Sequence, residues 1–262
     1  MSRRSAPEVL SLVGDREDVL RHVGLTGRRK RDLAEAMALS RSTLDRAIRE
    51  LADAGLVERG EEGYARTLCG QLALEEYDRA VRRVEGIVSG SAVVGSLDAE
   101  TAFDAAVLAG ADVVEAKRPS PQEPLRRLGN ILERADHADA FSPAIFPTQV
   151  DTYHRRVVHD GLTANVLVTG AVTSRLVSSY SDETKEALQT GRLEVRWTTD
   201  LPPYSLLVAE TPSGPELGIL TYDDTGILGF VGNDTSDAVA WGRREHARRW
   251  DDAEPLPDIA AD

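Results

Sequence analysis

Apolar residues between Pro7 and Val23 fall at Val9, Leu10, Leu12, Val13, Val19, Leu20 and Val23, a spacing that suits one or two short helices with one buried face. Gly24-Leu25-Thr26-Gly27 breaks the pattern. Leu33, Ala34 and Met37 then mark the stripe of a second short helix, Ala38-Leu39 a tight turn, and Ser40 the N-cap of the next helix. In that helix Leu44, Ala47, Ile48 and Leu51 stand at i, i+3, i+4 and i+7, one apolar face that Ala54-Gly55 closes. Residues 56–59 read as a strand, 60–63 as a turn and 64–67 as the returning strand. Helix, turn, helix and hairpin in this order predict a winged helix-turn-helix domain over residues 1–70.

Residues 68–88 carry a long helical pattern, with Leu72, Leu74, Tyr77, Val81 and Val84 on adjacent faces. They open a helical connector, 71–110, which serves either to pair two copies of the chain or to pack on its own body. Helix-like and strand-like patterns then alternate. Strands are expected at 111–115, 139–141, 163–169, 193–198, 204–210, 216–222 and 226–231, with a turn at 223–226. Helices are expected at 123–134, 147–159, 171–180 and 182–190, and a last one, capped by Ser236, to about Trp250. The fold class is therefore α+β or α/β, with a C-terminal mixed-sheet domain over 111–252 and a flexible tail over 253–262.

Charge adds a second division. The net charge is −13 over 262 residues, which sits badly with a nucleic-acid partner. Residues 1–70, however, hold 13 Lys+Arg against 12 Asp+Glu, a net of +1, and the remainder holds 18 against 32, a net of −14. A near-neutral head on an acidic body points to separate tasks. Lysine is nearly absent: Lys30, Lys117 and Lys185 stand against 28 arginines. This composition resembles that of salt-in haloarchaea, where molar KCl screens self-repulsion over roughly 3 Å; an acidic mesophile or a GC-rich actinobacterium is the alternative. MSRRSAPEVL lacks the apolar run of a signal peptide, and nowhere do 18 apolar residues follow one another, so a cytoplasmic protein without a membrane span is expected. Cys69 stands alone, which excludes an internal disulfide and a cysteine-based zinc cluster.

Opposite the apolar face of the second helix lie Arg41, Ser42, Thr43, Arg46 and Arg49. Guanidinium groups bind guanine bidentately, and hydroxyls take base edges or phosphates, so this face suits the major groove of double-stranded DNA. Asp45 and Glu50 on the same side narrow it. Lys30, between Arg29 and Arg31, suits phosphates or forms a solvated basic turn. Arg59, Tyr64 and Arg66 on the hairpin are candidates for the backbone or minor groove. Two half-sites read together bind more tightly than one, which favours a homodimer. For a small-molecule effector of unknown identity, the ends of strands are the places to look. They nominate Ser142, Thr148, Tyr153 and His154, with Thr169 and Tyr204, each equally readable as a cap or packing residue.

The run LAEAMALSRSTLDRAIRELADAGLVERGEEGYARTLCG resembles the winged helix of ArsR/MarR-type prokaryotic regulators. The stretch from FSPAIFPTQVDTYHRRVVHDGLTANVLVT through LPPYSLLVAE, LGILTYDDTGILGFVGND and AVAWGRREHARRW is similar to the middle domain of methanogenesis-regulator (FilR-type) proteins of archaea. Haloarchaea join that domain to winged helices. The resemblance implies a sensing role, a relation to the phospholipase D-like domain of sugar-responsive regulators, and no transferable catalytic residue. Phospholipase D chemistry needs His-x-Lys, and His154-Arg155-Arg156 and His159-Asp160-Gly161 both lack the lysine. The two histidines are also five residues apart, roughly 140° around a helix, unlike a one-face metal pair. Asp223-Asp224 and Asn233-Asp234 fit turn chemistry better than a cation site. No catalytic group, metal or cofactor is expected. The sequence thus predicts a DNA-binding transcriptional regulator whose operator affinity responds to a signal. The alternatives are a phosphodiester-type hydrolase, which lacks its motif, and a non-specific chromatin-associated DNA binder, which would favour a basic stripe.

Overall fold

Apolar stripes too narrow to be buried singly make the head a bundle of short helices. The computed structural model describes residues 4–224 and 226–256 and separates into two units, with Arg82 the last residue of the first and Arg83 the first of the second. In the first, α1 (Ala6–Asp15) starts where the Glu8 carboxylate accepts the Ser5 amide at 2.7 Å. Then come α2 (Glu17–Val23), α3 (Lys30–Ala36) and α4 (Arg41–Asp53). The stripe of α4, Leu44, Ala47, Ile48 and Leu51, is buried with Leu20, Val23, Leu33 and Leu56 in one core. Ala38 turns the chain between α3 and α4 at a left-handed φ of 51°, unusual for a residue with a Cβ. Ser40 Oγ then caps α4 by accepting the Thr43 amide at 3.2 Å.

The hairpin is β1 (Val57–Gly60) and β2 (Gly63–Arg66), one residue inside the expected span at each end, with Arg59 opposite Tyr64. On its other edge β2 exchanges two backbone hydrogen bonds between Tyr64 and Arg28, at 2.8 and 2.9 Å. Helix α5 (Leu68–Val94) runs further than the pattern over 68–88 indicated. Its glycines look like breakers in the sequence but act as contact points. A Cβ at Gly70 would lie 2.0 Å from the Leu56 carbonyl oxygen, and one at Gly86 2.1 Å from that of Leu108. The connector over 71–110 is accordingly helical only to Val94; beyond it the chain runs as loop into one 3-10 turn, Ala105–Val107.

The second unit is built on an eight-stranded mixed sheet. Helix α6 (Glu123–Arg134) leads into β4 (His137–Ser142), and α7 (Pro147–His159) crosses over to β5 (Thr163–Val168). Next, α8 (Gly170–Ser179) and α9 (Ser181–Gln189) cross over to β6 (Leu193–Trp197), leaving β4, β5 and β6 parallel. Hairpins join β7 (Tyr204–Thr211), β8 (Gly214–Asp223) and β9 (Gly226–Asn233), and α10 (Ser236–Trp250) comes after them. The order across the sheet is β10-β6-β5-β4-β7-β8-β9-β3, where β3 is Asp112–Glu115 and β10 is Glu254–Pro255. One face, with Phe141, Leu206, Val208 and Ile219, is covered by α10 and the 3-10 turn; the other, with Ala140, Leu207, Ala209 and Leu220, lies under α6, α7 and α9. Because both faces are covered, the central strands read as nearly unbroken apolar runs.

Several expectations change here. The cap position of α10 is Thr235, without a side-chain bond, and Ser236 is its first helical residue. The tail begins later than 253, because Ala253 is buried and Pro255 pairs with Arg196. Residues 257–262 of that tail, Thr225 of the predicted turn and residues 1–3 of the N-terminus lie outside the described residues. No described helix is long and apolar enough to cross a membrane.

Three buried side chains tie the end of α5 and the segment after it to the sheet. Thr221 Oγ1 donates to the Val93 carbonyl at 2.8 Å, and the Tyr204 hydroxyl to that of Ala102 at 3.1 Å. Asn233 Nδ2 donates to the carbonyls of Val107 and Ala109 at 2.9 and 3.1 Å, while its Oδ1 accepts the Thr235 amide at 2.9 Å. Truncation there leaves buried carbonyls without donors, the expensive half of a lost hydrogen bond. Asn233→Ala is expected to lower the unfolding free energy by about 2–3 kcal/mol in urea titrations, with an unchanged denaturant slope.

Candidate nucleic-acid interface and ligand cavity

Burial of its apolar stripe turns the opposite side of α4 outward, where Arg41, Ser42, Thr43, Arg46 and Arg49 stand, all of them at the protein surface. The hydroxyls gather at the helix start: Ser40 Oγ lies 3.0 Å from Ser42 Oγ and 2.8 Å from Thr43 Oγ1. Arg41 and Arg49 make no ion pair among the described residues, and neither does Arg59 on the hairpin. Arg46 is 75% exposed, but its Nε sits 2.9 Å from Glu50, which also holds Arg16 at 2.8 Å. The Arg46 and Arg16 guanidiniums keep the Glu50 carboxyl below the usual carboxylate range. Glu50 therefore anchors α4 to the start of α2 instead of standing free on the reading face.

Three candidates have other tasks. Lys30 Nζ is 2.5 Å from Asp45 and 5.1 Å from the centre of the Tyr64 ring, joining α3, α4 and β2. Its ammonium holds the Asp45 carboxyl below the usual carboxylate range. Tyr64 packs its ring against the domain core, and Arg66 lays its stem at the Gly70 backbone, its Nε buried without a partner. Asp45, expected to repel phosphate, is thus neutralised by a residue expected to bind it. A pairing across 15 positions and two elements leaves no periodic trace in a sequence.

In the second unit α6 and α7 stand over β4, β5 and β7 and leave a cavity of about 350 Å³, with a smaller apolar lobe of about 100 Å³ towards β6 and α8. Ser142, Gln149, Tyr153 and Val166 line both. Small residues produce the space: Ala140 on the sheet and Gly129 on α6 line it where branched side chains would fill it. Ser142 Oγ donates to the Ala144 carbonyl at 2.6 Å and lies 2.5 Å from Ser205 Oγ, itself 2.6 Å from the Tyr222 hydroxyl. Burial, with the Asp139 charge beyond it, pushes the Tyr153 hydroxyl above the ordinary phenol range, so it stays a neutral donor.

Of the six residues nominated for a ligand, Ser142, Thr148 and Tyr153 line the main cavity and His154 only the smaller lobe. His154 Nε2 is bound to Glu186 at 2.7 Å. Thr169 is instead the N-cap of α8, and Tyr204 is a fully buried core residue on the other face of the sheet. Gln149 and Gly129 went unnoticed; only a mid-helix glycine, unexplained by any cap, marked the place. The rings of His154 and His159 meet edge to face at 6.3 Å despite their angular separation on α7, because His159 ends the helix. Among the described residues no three His, Cys, Asp or Glu are grouped as a metal would need.

A second polar group lies under α10. His137 Nε2 and Asn165 Nδ2 both approach Asp139 Oδ1, at 3.1 and 3.0 Å, and His246 on α10 is buried with its Nε2 unpartnered. Burial pulls His246 below the usual imidazole range, opposed by the Asp139 carboxylate.

Two family models match the chain. Residues 121–252, half of its length, match "Methanogenesis regulatory protein FilR1, middle domain", and residues 4–88 match the "HVO_A0261 N-terminal domain". No curated protein sequence matches. Among solved structures, TrmBL2, an archaeal chromatin protein whose structure shows a novel mode of DNA binding, is similar at 14% identity and a TM-score of 0.45, over 96% of this chain and 100% of that one. An IclR homologue from Microbacterium sp. strain HM58-2 is similar at 12% identity and a TM-score of 0.23, over 92% and 97%. The O-methyltransferase NcsB1 from neocarzinostatin biosynthesis is similar at 18% identity and a TM-score of 0.24, over 75% and 68%.

Two outcomes are expected. A Cβ at Gly129 would meet nothing within 4 Å, so Gly129→Ala should raise the unfolding free energy by about 0.5–1 kcal/mol in urea. Burial disfavours the His246 imidazolium in the folded state, so the side chain protonates more readily when unfolded, and its contribution is full above pH of about 6.5 and is lost as pH falls below that. The melting temperature should drop as the pH is lowered from neutral into the mildly acidic range, and drop less in His246→Gln.

Proposed function

We propose that this chain, which belongs to the family of the methanogenesis regulatory protein FilR1 middle domain, is a DNA-binding transcriptional regulator whose acidic domain senses a small molecule. The observation that carries the DNA-binding half is the exposed side of α4, where Arg41 and Arg49 stand without ion pairs among the described residues, beside the Ser40, Ser42 and Thr43 hydroxyls. A helix presenting its N-terminal turns in this way enters the major groove. Backbone amides and hydroxyls meet a phosphate there, while arginine forks take guanine edges. Arg59 on the hairpin reaches the flanking backbone. Arg46 reads bases by exchanging Glu50 for DNA, so it contributes less than Arg41 and Arg49.

The sensing half is supported by the cavity between α6, α7 and the sheet, on the domain whose family is named after the middle domain of a regulatory protein. Helix α5 is the connection along the chain: Gly70 seats its start against Leu56, and Gly86 seats its later turns against Leu108. The protein works as a homodimer on a pseudo-palindrome, with no enzymatic activity and in a cytoplasm of high salt; the scarcity of lysine and the acidic body support the last point. The eight-stranded mixed sheet with helices on both faces supports a distant relation to a phospholipase D-like fold that has no His-x-Lys pair.

Footprinting on the DNA upstream of its own coding sequence, in dilute and in molar KCl, tests this reading. A short protected pseudo-palindrome is expected, and Arg41→Ala and Arg49→Ala should each weaken binding about 5- to 100-fold with the fold intact. Lys30→Met should weaken binding by freeing the Asp45 carboxylate, and Lys30→Met combined with Asp45→Asn should bring it back to within about threefold of wild type, because the two charges cancel each other. Protection without sequence preference would assign a chromatin-type role instead, and no protection at any salt would end the DNA-binding reading.

A further inference from the structure

The cavity of the second unit also limits what can occupy it. Its charged neighbours are paired within the protein: Arg126 is bound to Glu123 at 2.5 Å, and Glu133 to Arg155. Several of its hydroxyls are engaged as well, Ser142 with Ala144 and Thr152 with the Thr148 carbonyl at 2.8 Å. Gln122, Asn130 and Thr148 are exposed residues of the main cavity whose side chains also make no hydrogen bond with a described residue. The Gln149 side-chain amide and the Tyr153 hydroxyl differ in belonging to half-buried residues: one helical turn apart on α7, they line both lobes and make no hydrogen bond with any described residue. Both residues are half-buried, so these groups keep access to the cavity and are free to bond to a guest within it. Glu183, at the smaller lobe, is half-buried and has no ion-pair partner among the described residues, and it disfavours an anion.

Gly129 is an independent observation. It stands mid-helix in α6 with open space where a side chain would go. Glycine in a helix interior is destabilising, and no close approach of another element requires it here. What it does is keep the cavity open.

We propose that this cavity binds a small, uncharged, largely apolar ligand of ring size, held by one hydrogen-bonding group between Gln149 and Tyr153. This deepens the sensor reading and rests on it only for the regulatory meaning of binding. The small volume sets the size, the apolar walls supply most of the affinity, and the two free groups orient a hydroxyl or carbonyl. An anion would meet no unpaired cation among the described residues, and a cation in the main cavity would be desolvated where its one lining carboxylate, Glu133, is already held by Arg155.

Calorimetric titration of the full-length protein with 2-naphthol, 2-naphthoate and 2-naphthylmethylammonium, which share one ring system, tests the charge class. Saturable binding of 2-naphthol at least tenfold tighter than either ion is expected. Tyr153→Phe and Gln149→Leu should each weaken it about 2- to 10-fold, the effect of one hydrogen bond. Gly129→Leu should abolish it while melting at or above the wild-type temperature, which separates a filled cavity from a damaged fold. Absence of 2-naphthol binding, equal or tighter binding of an ion, or full binding by Gly129→Leu would each overturn the proposal. If 2-naphthol binds as expected but leaves DNA affinity unchanged, the site stands and the sensing reading falls.

Discussion

Strands β7 and β8 carry apolar side chains on both faces, Leu206, Val208, Leu217 and Ile219 on one side and Leu207, Ala209 and Leu220 on the other. A sheet of this kind needs a layer on each side, and the placement of the remaining elements of the second unit answers that requirement. Parallel β4, β5 and β6 bring their crossover helices with them, so α7 and α9 arrive on one face as a consequence of topology. The other face has no crossovers to cover it. It takes α10, the 3-10 turn and the last residues of α5, and these need Thr221, Asn233 and Tyr204 to satisfy carbonyls that burial removes from water. The two layers differ for that reason. Bulky aromatic and aliphatic groups close the α10 side, whereas alanines on the α7 side leave room.

In the head the constraint is smaller and polar. A stripe of four residues fixes which way α4 faces, but not how it is held against α3 and the hairpin. Lys30, Asp45 and Tyr64 do that from three elements, and Glu50 ties the same helix to the start of α2 through Arg16. Such exposed pairs are individually worth little, yet they decide which charges remain available to a partner.

Local periodicity carried much of this structure. The helices at 123–134 and 147–159 and the stripe of α4 coincide with the pattern because spacing and packing agree there. What the pattern missed depends on neighbours distant in sequence. Helix α5 continues beyond residue 88 to Val94, with Leu108 packed onto Gly86 and Gly90, and β10 forms at a proline because the edge of β6 accepts it. The candidate site divides in the same way. Exposure of Arg41 and Arg49 comes from the helical period, while the loss of Lys30 to Asp45, of Tyr64 to the core and of Thr169 to a helix cap required tertiary structure. Strand ends pointed to Ser142 and Tyr153, which line the cavity, and to Tyr204, which lies on the other face, since a residue's side of a sheet changes with every step.

The distribution of free charge has a consequence for recognition. Each phosphate neutralised by a cation makes affinity fall with salt, with a slope of about 0.9 per contact in logarithmic terms. On the proposed reading, Lys30 and Arg46 are held by Asp45 and Glu50, leaving Arg41, Arg49 and Arg59 among the cations of the reading face. Few released counterions per copy give a shallow slope, and the acidic body adds repulsion that further lowers sequence-independent binding. Discrimination must then come from base edges met by α4, whose hydrogen bonds depend less on ionic strength. A protein built this way has weak attraction to arbitrary DNA and keeps its preference where salt is high. On the proposed reading, the internal pairing of Lys30 and Arg46, which first looks like a defect, is what makes that selectivity physically attainable.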